Sequence, residues 1–285
     1  MAVKILTDST SYIDKKLVSE LDIRVISLNV KFQDESFREV DIDNKEFYKK
    51  MAIKGIPMSS QPAIGEFYDQ MKQVVENGDS LLGVFISSDM SGTYSTAHIA
   101  KDMILENYKD AQIEIVDSGT NSMQLGYHAI VGARASKEGK NLEEVKALVQ
   151  SMSKRSRFMF IPDNLEYLKK GGRIGGASAL IGSFLNIIPI LTVENGKTAV
   201  LGKIRTKKKA IAAMLEKMLQ DIEVGGFMEA TVHHINCYDE ALELAKSIEE
   251  KLKVKVSIGD IGPVIGVHVG PGAIGIAYYT KRDIR

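Results

Sequence analysis

Short apolar runs and helix-period segments take turns along the first half of the chain. VKILTDS (3–9), IRVISLNV (23–30), LLGVFISS (81–88) and QIEIVDS (112–118) read as strands. Segments such as EFYKKMAI (46–53), IGEFYDQMKQVVENG (64–78) and STAHIAKDMILENY (95–108) between them repeat their apolar positions every three or four residues, as helices do. Alternation of this kind predicts a mostly parallel sheet with helices on both faces. After RFMFIP (157–162) the pattern changes: Asn195-Gly196 sits between two strand-like runs, a hairpin signal. The helix KKKAIAAMLEKMLQDI, the strand EATVHHIN, the helix DEALELAKSIEEKL and the expected strands VKVSIGDIG, VIGVHVG and AIGIAYYT follow. A hairpin among helices implies a mixed sheet. The prediction is an α/β protein of two closely packed domains: a three-layer domain with a mostly parallel sheet over 1–155, and a mixed-sheet α/β domain over 156–285.

Composition narrows the classes. The chain has 285 residues, 44% hydrophobic and 26% charged, which suits a folded protein with a sizeable core. Lys plus Arg and Asp plus Glu both count 37, so no global field draws the chain to nucleic acid or an anionic membrane. Cys237 is the single cysteine, which excludes an intramolecular disulfide framework and a multi-cysteine zinc site. Asp8 interrupts the N-terminus before a signal-peptide apolar region develops, and the expected location is cytoplasmic. IGGASALIGSFLNIIPILTV (174–193) is uncharged over the length of a spanning helix. Its glycines, Asn186 and Pro189 instead divide it into a short helix near Ala177–Leu185 and a strand near Ile188–Val193.

Chemistry concentrates at the expected strand ends. SSDMSGT (87–93) places hydroxyls and Gly92 where a helix begins near Ser91 or Gly92, and TDST, DSGT and PMSSQPA carry similar residues. Helix N-termini beyond strand ends offer free N–H groups and a positive dipole end, which favours an anion. Each motif alone also reads as ordinary capping. No G-x-x-x-x-G-K-[ST] or G-x-G-x-x-G motif and no G-x-S-x-G elbow occurs. Ser91 with His268 and an aspartate leaves a serine esterase or thioesterase open as the alternative, and a nucleotide-binding transferase as a third. His233 and His234 are adjacent, so in a strand they face opposite sides, one toward the surface and one toward the core; no metal is expected.

TDST, SSQPA (59–63), SSDMSGTYSTA (87–97), IVDSG (115–119), LEYLKKGGRIGG (165–176), IPILTVENGK (188–197), KIRTKKKA (203–210) and GVHVGPGAIGI (266–276) together resemble the DegV family across the whole chain. These are bacterial fatty-acid-binding proteins, including the acyl-carrying subunits of fatty acid kinase. The resemblance implies a long-chain fatty acid as ligand, no cofactor, no catalysis by the chain itself, and an ATP-binding kinase subunit as partner in lipid metabolism. It implies that Ser59, Ser91, Gly92 and His268 hold the carboxylate, with Arg173 near the head group. Three positions depart from the family's usual residues: Ser59 replaces a threonine, Ala63 a serine or threonine, and Met90 a leucine.

The ligand's physics accounts for this division of residues. Burying about 16 carbons at roughly 0.8 kcal/mol each contributes on the order of 12 kcal/mol before ordering costs. The carboxylate costs several kcal/mol to desolvate unless hydrogen-bonded, so hydroxyls and N–H groups set its orientation. The uncharged stretch 174–193 and flexible methionines are expected to line the tunnel. The basic run KIRTKKKA reads either as a solvated helix start or as a docking point for the kinase partner or, transiently, a membrane surface.

Overall fold

A computed structural model describes residues 2–181 and 187–285. The first part of the chain runs β1 (Val3–Asp8), α1 (Lys15–Leu21), β2 (Arg24–Ile26), β3 (Asn29–Lys31), β4 (Ser36–Arg38), α2 (Asn44–Lys54), β5 (Met58–Ser60), α3 (Ile64–Glu76), β6 (Ser80–Phe85), α4 (Thr93–Asn107), β7 (Ile113–Asp117), α5 (Ser122–Lys137) and α6 (Leu142–Arg155). It continues through β8 (Ser156–Ile161), α7 (Glu166–Lys170), β9 (Ile188–Glu194), β10 (Lys197–Ile204), α8 (Lys207–Gly225), β11 (Phe227–His234), α9 (Tyr238–Leu252), β12 (Ser257–Asp260), α10 (Pro263–Val269) and β13 (Ile274–Thr280).

Strands β2-β1-β6-β7 form a parallel sheet, and β10-β9-β8-β13-β11-β12 a mixed one in which β11 and β12 alone are parallel. A small antiparallel sheet, β4-β3-β5, stands apart. Strand periodicity explains the layering. In β1, Leu6 faces a cluster with Phe67 and Met71 of α3 and Ala97 of α4, while Ile5 faces α5 and α6. In β8, Phe158 and Phe160 face that same inner cluster, whereas Met159 and Ile161 face Met214 of α8 and Leu244 of α9. Helices α5 and α6 therefore lie between the two large sheets, and one apolar cluster spans both. A buried ion pair, Arg157 Nε to Asp221 Oδ2 at 2.7 Å, ties β8 to α8, with Tyr278 and Lys217 donating to the same carboxylate.

The Asn195-Gly196 hairpin forms as expected, both residues at positive φ as a tight hairpin turn requires. Three expectations need correction. IRVISLNV is not one strand: Ser27 Oγ donates to the Leu28 carbonyl and Leu28 N donates to Ser9 Oγ, so the chain leaves the parallel sheet and enters the small one. VIGVHVG is helix α10, not a strand, because Gly262-Pro263 starts a helix and a seven-residue apolar run fits either period. Of the short helix expected near Ala177–Leu185, a 3-10 segment occupies Gly175–Leu180 and residues 182–186 lie outside the described residues. Among the described residues no helix is long and apolar enough to cross a membrane.

Candidate functional site

A cavity of about 290 Å³ lies where the ends of β5, β6, β8 and α10 meet. All five residues expected near a head group are among those that line it. They arrive from four separate parts of the chain.

Ser59 is carried by β5, where it pairs with Val30 of β3; it does not stand at a helix N-terminus. Its Oγ lies 2.8 Å from His268 Nε2. His268 comes from α10, one turn after Val264 and so on the same face of the helix. Burial, helped by the positive charge of Arg173, pushes its imidazole down to about 4, so the ring is neutral at physiological pH. A neutral ring carries one N–H and one lone pair. Among the described residues its Nδ1 has no hydrogen-bond partner, and it rests against Gly171, where a Cβ would stand 2.1 Å from the nitrogen. Only glycine leaves room for the ring there.

Ser91 and Gly92 follow β6 through a tight turn in which the Met90 and Ser91 amides both donate to the Ser87 carbonyl. Gly92 is the N-cap of α4, and the Gln61 side chain packs where a Cβ would be. Ser91 Oγ lies 2.8 Å from Thr93 Oγ1 and accepts from the Thr93 amide. The Ser91–His268 pair on which an esterase would depend is thus not assembled: His268 bonds Ser59, and its Nδ1 meets no carboxylate. Arg173 follows the α7 turn and is exposed, its Nε donating to the Met90 carbonyl at 3.0 Å and Nη1 to Gly171 at 2.7 Å. The guanidinium bridges two loops at the cavity rim.

The rest of the lining is mostly apolar, contributed by Phe158 and Phe160 of β8, Leu168, Ile265 and Val269 among others. Phe158 and Phe160 stack at 5.3 Å between ring centroids. The same two rings with Ile265 and Val269 also line a separate space of only about 10 Å³, shared with His233, Ile235, Ile261 and Ala273. No described residue of 174–193 is among those that line the cavity, and residues 182–186 of that stretch lie outside the described residues. Met90 is the one methionine in the lining. Sequence reasoning also passed over Phe158 and Phe160, although their period-2 spacing in RFMFIP put them on one face. Gln61 and Thr198 also line the cavity: Gln61 lies within SSQPA without having been singled out, and Thr198 directly follows IPILTVENGK.

His233 and His234 were expected as one core and one surface residue, and both are buried. His233 accepts from the Met123 amide of α5, and His234, on the other face, contacts Asp260 of the paired strand β12 and the Tyr238 ring at the start of α9. Among the described residues no cluster of His, Cys, Asp or Glu is arranged to hold a metal.

Comparison with known proteins agrees with this layout. A family model described as "Uncharacterised protein, DegV family" matches residues 2–281. A DegV domain-containing protein of Clostridium acetobutylicum is 62% identical over 285 residues, all of both chains. The crystal structure of DegV from Bacillus subtilis, described as a fatty acid binding protein, superposes with a TM-score of 0.89 at 34% identity, covering 99% of this chain and 100% of that one. A protein from Eubacterium ventriosum described as binding stearic acid gives 0.90 at 27% identity, with 98% of each chain covered. With its two large sheets, a cavity lined by clustered hydroxyls, and a family match running almost from end to end, the chain belongs to the DegV family.

Proposed function

We propose that this protein binds a long-chain fatty acid, holding the carboxylate with Ser59, Ser91, the Gly92 amide and His268, and the acyl chain along Phe158 and Phe160. One observation carries the reading. Two hydroxyls and a neutral imidazole converge on one cavity whose remaining lining is chiefly apolar. Hydroxyl and imidazole N–H groups can donate to a carboxylate without a buried counter-charge, so the head group is compensated while the chain supplies affinity through burial. The structural relatives described as fatty-acid-binding support the same ligand class.

The protein presents the bound acid to the ATP-binding subunit of a fatty acid kinase in the cytoplasm and is not itself a catalyst. Arg173 at the rim is suited to the charge of an acyl phosphate, since a planar guanidinium matches phosphate oxygens. Lys208 and Lys209, exposed at the start of α8, offer a basic surface for the kinase or for brief contact with an anionic membrane. Native mass spectrometry of protein purified without added lipid, followed by extraction, tests the ligand. A stoichiometric fatty acid, reduced in Ser91→Ala and Arg173→Ala, supports the reading. No adduct and no binding of added palmitate or oleate overturns it.

A further inference from the structure

The pair that meets across the cavity, Ser59 and His268, is carried by two elements that share one anchor. His268 belongs to α10, and Ser59 to β5 of the small sheet. Both elements are fastened to Glu39, which follows β4 and is 6% exposed.

On the helix side, Glu39 Oε1 accepts from the Val264 amide at 2.8 Å, one of the N–H groups that a helix start leaves unpaired. The same oxygen accepts from Tyr12 Oη at 2.9 Å, and that hydroxyl takes the next amide, Ile265, at 3.2 Å. Tyr48 of α2 donates to the carbonyls of Ile261 and Gly262 just before the helix. Val264 stands one turn before His268, so the position of its amide sets the height and rotation of the ring. On the sheet side, Glu39 N donates to the Leu28 carbonyl at 2.9 Å. Glu39 Oε2 accepts from Ser9 Oγ, which in turn accepts from the Leu28 amide. Leu28 leads directly into β3, and β3 Val30 is the register partner of Ser59.

The structure assigns to Glu39 the role of a positioning residue for the head-group pair: it fixes α10 and the small sheet relative to one another so that His268 reaches Ser59. This rests on the fatty-acid reading for its consequence, though not for its geometry. Among the described residues no cation stands against the buried carboxylate; hydroxyls and an amide hold it instead. The titratable groups facing it are Asp8 at the end of β1, Tyr12, and Tyr48 on α2; across a solvent-connected crevice stand Lys15, Asp43 and Asp260. When Glu39 takes up a proton, one of its acceptor positions becomes a donor, and the set of bonds that holds both elements must rearrange.

The test uses the full chain with its histidine rings labelled with nitrogen-15, read with and without palmitate. In the ligand-free protein the His268 ring signals are expected to shift as pH falls from about 8 to about 6, and to stay fixed over that range in Glu39→Gln. Palmitate release is expected to quicken over the same range in the wild type and to be about tenfold faster and pH-independent in Glu39→Gln, as when a hydrogen bond to a charged group is partly lost. Tyr12→Phe removes one hydroxyl only; it should speed release less and keep the pH dependence. His268 signals that ignore both pH and the Glu39→Gln change overturn the assignment, as does a variant that only melts earlier with the ring signals of the wild type. If the wild type binds no palmitate, the fatty-acid reading fails while the ring signals still decide the role of Glu39.

Discussion

Ser59 and His268, 209 residues apart in sequence, are joined by a 2.8 Å contact between Oγ and Nε2. With His268 neutral, its one ring proton can sit on either nitrogen, and the Ser59 hydroxyl can turn to match. Ser59→Ala removes the hydroxyl and leaves Nε2 unpaired at the cavity. Fatty-acid affinity should fall about tenfold, with the thermal midpoint changed little, since Ser59 is only partly buried. Competition with a fluorescent fatty acid measures it.

Gly171→Ala offers an indirect disturbance of the same pair. The backbone there is ordinary, φ −75°, so the substitution introduces no backbone strain and acts through its methyl group alone. That methyl would overlap His268 Nδ1 and push the ring off Ser59. Retention of fatty acid should drop at least as far as in Ser59→Ala, while the far-ultraviolet circular dichroism stays that of the wild type.

Buried carboxyls and buried histidines pull stability in opposite directions with pH. Burial raises Asp8 to about 6 and Glu39 to about 7, so their contribution is greatest at low pH and is lost as pH rises through those values. Burial lowers His128, His233 and His268 to about 4, so theirs is present above the ordinary histidine value of 6.5 and is lost as pH falls toward 4. Between about pH 5 and 6.5 folded Glu39 holds a proton that the unfolded chain lacks. Glu39→Gln removes that proton from the balance, and its stability should rise with pH by about 1.4 kcal/mol per unit more than the wild type's. Urea unfolding at several pH values checks the slope. Equal slopes would mean that Glu39 is ionised throughout.

Asp221→Asn leaves Arg157 buried without its counter-charge. Burial alone would raise the Asp221 carboxyl, but bonds from Lys217, Tyr278 and Arg157 more than offset this and hold it below the usual carboxylate value. Removing one partner of a buried pair costs about 3 to 5 kcal/mol. Denaturant unfolding should show a loss of that order, far larger than for Lys16→Ala, whose exposed partner is Glu20.

The basic run divides in two once its contacts are seen. Lys207 is held by Glu240 and the Gly272 carbonyl, so it serves the fold. Lys208→Glu with Lys209→Glu should therefore weaken association with the kinase subunit or with anionic vesicles at low salt without unfolding the protein. Unchanged association by flotation and pull-down would remove the docking role.

The sequence announced what depends on local pattern. The strands around LLGVFI and QIEIV, the α4 start at Gly92 and the Asn195-Gly196 hairpin all follow from periodicity and turn chemistry within a few residues. What escaped depends on long-range partners. VIGVHVG reads as a buried strand by composition, and only Glu39 and Tyr12, over 200 residues away, satisfy the helix start that Gly262-Pro263 hinted at. The apolar lining was sought in the most hydrophobic stretch and found in Phe158 and Phe160, whose neighbours Met159 and Ile161 belong to a different core. Hydrophobicity along a chain says how much will be buried; the alternation of a strand says against what. The site hydroxyls were legible because Ser91-Gly92 opens a helix, yet the bond from Ser59 to His268 belongs to tertiary structure alone.

The placement of α5 and α6 constrains how a ligand can enter. Because those helices are packed against both large sheets, swinging one half of the molecule away from the other would strip apolar surface from an inner layer, including Tyr127, Ile130 and Val149, which are at most 1% exposed. The rim of the cavity is held by far less: Ser87 to the Gly196 carbonyl, Asp89 to Lys197 and Arg173 to the Met90 carbonyl. For a buried guest, parting a few loop contacts would cost less than separating the packed layers, more like lifting a latch than opening a book.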